Sequence, residues 1–307
     1  MVGKNGGPAR NASLLFYRRI QLTYLPFFLS FSLSFSVCVC VCVNKKVTFP
    51  GFLTREALES CREEARSGQD TAFTTDNVHT AYLLPRDETH YSSNSVRNHS
   101  MRTKVASIAF DELPPDGTLA NLYQHPTLLH MIASVVHNDD DKKKKKKKLY
   151  LSSDPLGCCS INVFRPSYHH SFHFDESEFS TTLMIQQAQK GGLFQYTHPL
   201  RNNSEDLAAP AVASVLHRHD AQNNKPQEPL DEYDPNNQTP ELHTLDFAEG
   251  TLSIFSGSKS LHRVTPVEGP HSRLVAVLTF ASQPGFCNSG RVQSLFWGRS
   301  VPTPLQW

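Results

Sequence analysis

Beyond Leu149 the apolar residues of this chain fall in short runs that Gly, Pro and Ser keep interrupting. The runs are Cys158 to Phe164, Phe172 to Phe174, Phe179 to Gln186, Leu193 to Tyr196, Thr251 to Phe255, Leu261 to Val264 and Arg273 to Phe280. Segments this brief and rich in β-branched and aromatic residues cannot support helices, but each suits one strand of a sheet. Helical patterns come earlier. Thr54 before Arg55-Glu56-Ala57 reads as an N-cap, with Ala57, Leu58, Cys61 and Ala65 at helical spacing, which predicts a helix over about 54–66. Leu122, Leu128, Leu129, Ile132 and Val136 predict a second helical region over 119–136, and 67–100 reads as polar loop. Helices followed by many short strands predict an α+β, mainly β chain, a sandwich or jelly roll with N-terminal packing helices.

Two segments read as foreign to that domain. Leu25 to Val43 is long and apolar enough for a membrane span and is flanked by Arg18, Arg19, Lys45 and Lys46. Yet Leu25 to Ser36 uses only Leu, Pro, Phe and Ser, which pyrimidine-only codons encode, and the Val-Cys alternation is what a GT repeat encodes. Residues 1–46 are therefore expected to be a low-complexity leader of non-coding origin. The second segment, 139–148, carries three aspartates and seven consecutive lysines. Removing it turns 30 basic against 29 acidic residues into 23 against 26. The remaining chain has no net basic field for nucleic acid. Residues 47–307 are expected to form a single domain, with 203–242 as a variable loop region. Neither zinc-type nor CxxC spacing occurs among the seven cysteines, which favours a reducing, cytoplasmic location. A membrane anchor in the secretory pathway is the alternative if 25–43 is a true span.

The chemistry concentrates around His173-Phe174-Asp175. In a strand, residues i and i+2 share a face, so one imidazole stands beside one carboxylate. The pattern alone is weak: with 15 histidines roughly one chance match is expected, and His137-Asn138-Asp139 is another. His262, after the Gly257 turn, is the best third ligand. Two histidines and one carboxylate form the facial triad of non-haem Fe(II) oxygenases, with positions left open. Arg273 opens the apolar strand RLVAVLTF, where a guanidinium needs an anion, either a bound carboxylate or a salt-bridge partner. Asn162, in SINVF, can reach a bound acid or sit satisfied at a strand end. Of His169 and His170 at most one can face inward, and both are expected near a cavity mouth. Glu176 and Arg201 read as solvated surface before substrate contacts.

From about Thr48 onward the chain resembles the 2-oxoglutarate and Fe(II)-dependent dioxygenases, in a branch with an H-F-D motif and a G-G-x-F-x-Y strand, here HFDESEFSTTLMIQ, GGLFQYTHPLR and GTLSIFSGSKSLHRVTPV. The resemblance implies a double-stranded β-helix in which His173, Asp175 and His262 hold Fe(II) and Arg273, with Asn162 nearby, holds 2-oxoglutarate. It further implies O2 as oxidant, ascorbate as a candidate reductant, and hydroxylation of an aliphatic carbon in a small molecule or amino-acid side chain with release of succinate and CO2. Collagen-type prolyl hydroxylases have Lys in place of Arg273. The alkylated-nucleic-acid dioxygenases carry a second Arg where this chain has Thr279, and radical halogenases lack the carboxylate of Asp175. Nucleic acid is thus a disfavoured partner. The alternatives are a silent jelly-roll binding module and a nucleic-acid or protein demethylase.

Overall fold

The computed structural model describes residues 47–136, 148–222, 230–245 and 247–307. The expected leader, the apolar stretch 25–43 and the insert except for Lys148 lie outside the described residues. No helix among the described residues is long and apolar enough to cross a membrane.

The chain runs β1 (Val47–Phe49), α1 (Arg55–Gly68), β2 (Phe73–Thr80), β3 (Ser100–Ile108), α2 (Thr118–Gln124), α3 (Pro126–Val136) and β4 (Tyr150–Leu151). It continues through β5 (Cys159–Phe164), β6 (His170–His173), β7 (Phe179–Gln186), β8 (Lys190–Gly191), β9 (Phe194–Pro199) and α4 (Ala209–Gln222). The last elements are β10 (His243–Thr244), β11 (Leu252–Phe255), β12 (Ser260–Val264), β13 (Val267–Glu268), β14 (Arg273–Ala281) and α5 (Gly290–Trp297). Thr54 caps α1 as expected, its Oγ1 accepting from Ala57 N at 3.1 Å. The expected helix 119–136 is two helices, because Pro126 lacks the amide hydrogen to continue α2 and starts α3 instead. The expected loop 67–100 contains β2, which pairs with β3 from Phe73↔Ser107 to Thr80↔Ser100. Its polar composition concealed the strand, since the buried positions are Thr75, His79 and Thr80.

Eight strands pair in nested antiparallel couples, first with last and so inward: β5 with β14, β6 with β12, β7 with β11, and β9 with β10. Closing these couples gives one sheet of order β11-β7-β14-β5 and another of order β10-β9-β12-β6. That is the jelly-roll topology, the double-stranded β-helix expected from the sequence. β3 and β2 extend the first sheet past β5, and β1 and β4 add to it.

Alternation along the central strands decides what lies on each side. Leu274, Ala276, Leu278 and Phe280 of β14, with Cys159, Ile161 and Val163 of β5, join the core beneath α1, α2 and α3. The helices contribute Ala57, Cys61, Leu119, Leu122, Leu128 and Ile132 to that core. Each fully buried aliphatic side chain there is worth about 1.5–3 kcal/mol. The second sheet is covered by α4, whose Val212, Ala213, Val215 and Leu216 pack on Phe172, Phe174 and Leu261. Between the two sheets the remaining faces enclose a cavity.

His79 of β2 is buried where the added hairpin meets this space, its Nδ1 against Thr80 O (2.9 Å) and its Nε2 against Thr103 Oγ1 (2.6 Å). Burial pushes its pKa down to about 4 from an ordinary 6.5. The unfolded chain therefore takes up a proton below pH 6.5 that the folded chain refuses until about pH 4, so stability falls as pH falls through that window. His79 alone is expected to remove about 3 kcal/mol between pH 7 and 4. Urea unfolding at several pH values checks this, and H79Q should flatten the slope.

Candidate active site

His173 ends β6 and His262 lies in β12, and their backbones are direct cross-strand partners. Phe172 and Phe174 point the other way into the core under α4, so the apolar residues of this stretch fix which face His173 presents. Each histidine Nδ1 stands 2.8 Å from a main-chain oxygen two residues back, Ser171 O for His173 and Ser260 O for His262. A carbonyl only accepts, so Nδ1 must carry the hydrogen and Nε2 presents its lone pair. Both Nε2 atoms lie 3.4 Å from Asp175 Oδ1. Burial holds the His173 imidazole below its ordinary pKa, which keeps that lone pair available. Burial also pushes the Asp175 carboxyl up, but His262 and His173 outweigh it and hold it well below the usual carboxylate range. The three side chains form a group able to hold a metal ion, and the donor set suits a borderline divalent cation such as Fe(II).

Asp175 is fixed from three sides. Its N–H donates to Gly257 O at 3.1 Å, and its Oδ2 accepts from Ser180 Oγ, itself 3.1 Å from Ser177 Oγ. Gly257 allows this approach, since a Cβ there would come within 2.7 Å of both Asp175 Cγ and Ser180 Oγ. No residue larger than Gly fits without moving the carboxylate.

The cavity beside the triad measures about 120 Å³ and runs along β14, past Arg273, Val275, Val277 and Thr279, with Ser160, Asn162 and Phe164 of β5 in the same wall. Arg273 marks one end and is 2% exposed. Its guanidinium stacks 5.2 Å over Phe164, and Nε and Nη1 have no hydrogen-bond partner. Burial lowers its pKa to about 10, so it stays charged at neutral pH. Among the described residues it has no salt-bridge partner. An unpaired cation in such surroundings costs several kcal/mol. Asn162 Oδ1 accepts from Ser107 Oγ (3.1 Å), and the residue lines the cavity.

Three expectations about neighbouring residues change. His170 does not sit at a mouth: it is buried in the cavity wall, while His169 is bonded at the surface to Arg102 O (2.9 Å). Glu176 accepts from Ser289 N and Oγ, both at 2.7 Å, and so holds the N-terminus of α5. Arg201 is buried outside the cavity, 4.5 Å over the Phe174 ring. α5, absent from the sequence-based expectation, closes one side of the cavity with Val292, Phe296 and Trp297. Its signal was present: Ser289 as N-cap followed by Val292, Leu295 and Phe296 at helical spacing.

No family model matches the sequence, and neither does any curated protein. Solved structures that the chain is similar to include an oxidoreductase of the 2OG-Fe(II) oxygenase family from Burkholderia pseudomallei, at 15% identity over 79% of this chain and 87% of that one, with a TM-score of 0.44. The non-heme alpha ketoglutarate dependent carbocyclase SnoK of nogalamycin biosynthesis is 12% identical over 86% and 93% of the two chains, with a TM-score of 0.49. HygX from Streptomyces hygroscopicus, solved with nickel, 2-oxoglutarate and hygromycin B bound, is 12% identical over 81% and 87%, with a TM-score of 0.44. Likenesses this distant leave the function to be argued from the side chains of this chain.

Replacing Gly257 with Ala should displace Asp175 while leaving the core untouched. We expect Mn(II) affinity, read by calorimetry, to fall at least about tenfold, with the far-UV circular dichroism unchanged.

Proposed function

We propose that this chain is an Fe(II)- and 2-oxoglutarate-dependent dioxygenase that hydroxylates an aliphatic carbon of a small molecule or an amino-acid side chain. The observation that carries the reading is the pairing, in one enclosed cavity, of a two-histidine, one-carboxylate group with a buried, charged and unpaired arginine. A metal site alone would suit hydrolysis or simple binding. The arginine adds a demand for an anion whose other end can reach the metal, and a dicarboxylic oxoacid meets that demand.

The residues present fit both groups. His173, Asp175 and His262 would hold Fe(II) through His173 Nε2, His262 Nε2 and Asp175 Oδ1. Arg273, whose Nε and Nη1 have no partner in the protein, would pair through its guanidinium with the remote carboxylate of 2-oxoglutarate, and Asn162 would present its amide to the same ligand. Bound there, the metal and the oxoacid supply oxygen activation coupled to decarboxylation of the oxoacid to succinate and CO2.

The protein's own contribution is placement and exclusion of water. Nδ1 hydrogen bonds lock both imidazoles in the tautomer and orientation that ligation needs. Phe194 and Phe255 pack against the His262 ring at 5.6 and 5.1 Å and keep that side dry. Val275 and Val277 offer no donor, acceptor or proton to an oxidising centre. Asp175 fills the metal position that halide occupies in radical halogenases, which favours hydroxylation over halogenation.

Purified full-length protein with Fe(II), ascorbate and 2-oxoglutarate should release succinate, slowly alone and faster with its substrate. D175A should abolish release, and R273A should raise the 2-oxoglutarate concentration for half-maximal release by about tenfold or more. A protein that binds no iron and releases no succinate across a panel of amino acids and small aliphatic metabolites is not this enzyme.

A further inference from the structure

β6 and β12 are out of step between the metal-site pair and the next. His173 faces His262 and His170 faces Val264, so three residues of β6 span what two span on β12. Without that bulge the odd spacing would send His170 outward with Phe172 and Phe174. With it, the ring turns back into the cavity and stacks on His173 at 3.7 Å and 17°. The result is unusual for a buried polar group: His170 is 8% exposed, lines the cavity, and its Nε2 has no hydrogen-bond partner. Phe296 closes on the ring edge at 5.2 Å, and His79 lies 5.7 Å away without bonding to it. A buried nitrogen left unsatisfied costs about 1–3 kcal/mol. A ligand with a polar group at that point of the cavity would remove the deficit.

The direction in which the bulge carries His170 identifies that ligand. Asp175, two residues after His173, sits beside Ser180, and Ser180 is the cross-strand partner of Thr279. His170 lies on the opposite side of His173, level with Val264, which pairs with Phe194. Val264 and Phe194 belong to one cluster with Phe164, the ring under the Arg273 guanidinium. His170 is thus set toward the Arg273 end of the cavity.

We infer that His170 is a second hydrogen-bond donor, through Nε2–H, to the remote carboxylate of the oxoacid that Arg273 holds. The inference rests on the dioxygenase reading of the site and adds to it a residue for the carboxylate. The guanidinium neutralises that group but uses only part of its acceptor capacity, since the two carboxylate oxygens offer about four lone-pair sites. A neutral donor on the facing sheet takes a further one and with Arg273 sets the angle at which the oxoacid extends toward the metal.

The test is equilibrium binding of two oxoacids to full-length protein loaded with Mn(II), measured by calorimetry. 2-Oxoglutarate has the remote carboxylate and 2-oxobutyrate does not. In wild type 2-oxoglutarate should bind much the tighter. H170F keeps the stacking on His173 and removes the donor, and is expected to weaken 2-oxoglutarate about tenfold or more while leaving 2-oxobutyrate and Mn(II) affinities unchanged. H170Q, whose amide nitrogen can reach the Nε2 position, should recover much of the loss. An equal loss for both oxoacids, or no loss for either, would overturn the assignment. Should H170F lose Mn(II), H170L supplies the same comparison, and loss of Mn(II) in both reduces His170 to a support for His173 and also overturns it. A wild-type protein that binds Mn(II) but no 2-oxoglutarate would instead sink the dioxygenase reading itself.

Discussion

Everything at the site depends on strand alternation in β14 and β5. The same nine-residue strand sends Leu274, Ala276, Leu278 and Phe280 under the helices and Arg273, Val275, Val277 and Thr279 into the cavity. A one-residue slip would bury the guanidinium beneath α1–α3 and expose four core side chains. Helix packing and cavity chemistry are therefore two faces of one register, and the core that stabilises β14 also aims Arg273. Burial of Cys61, Cys158 and Cys159 in that same core pushes their thiols well up, so these cysteines act as small apolar side chains.

Desolvation works in opposite senses on the groups of the cavity. It keeps His173 neutral, which metal ligation needs, and it leaves Arg273 charged but without compensation, which anion binding needs. The third ligand of the set is the carboxylate of Asp175, whose Oδ2 accepts from Ser180 Oγ. A cavity prepared in this way is less stable than a filled one. Its cost is met by the apolar packing of the two sheets, and a ligand bridging Arg273 and the triad would remove it.

Much of this was legible in the sequence because it rests on short-range rules. Short β-rich runs placed β5, β6, β7, β11, β12 and β14 to within two residues and β9 three residues short at its end, while the two-residue strands β4, β8, β10 and β13 carried no signal, and the i, i+2 spacing put His173 and Asp175 on one face. His262 came from a turn followed by an apolar run, and Arg273 from the physical oddity of a cation opening a buried strand. What stayed hidden depends on pairing between distant segments. β2 looks like loop because its buried positions are the polar Thr75, His79 and Thr80, while its apolar Phe73 and Val78 are exposed. His170 could not be aimed, since a bulge exists only relative to a partner strand. The ties of Glu176 join it to residues 113 to 115 positions away.

Those ties give the site a further constraint. Asp175 and Glu176 are consecutive carboxylates that leave the backbone in different directions. One turns to the histidines, and the other reaches Ser289 and Arg291 at the start of α5. Arg291 in turn donates through Nε to Leu83 O at 2.7 Å, joining the helix to the segment after β2. The helix that closes the cavity and the carboxylate of the metal group are thus anchored through one peptide unit. A shift of α5 large enough to admit a bulky molecule would have to break the Glu176 contacts or carry that peptide with it. Access to the cavity and the geometry of the metal group are for this reason not independent in this fold.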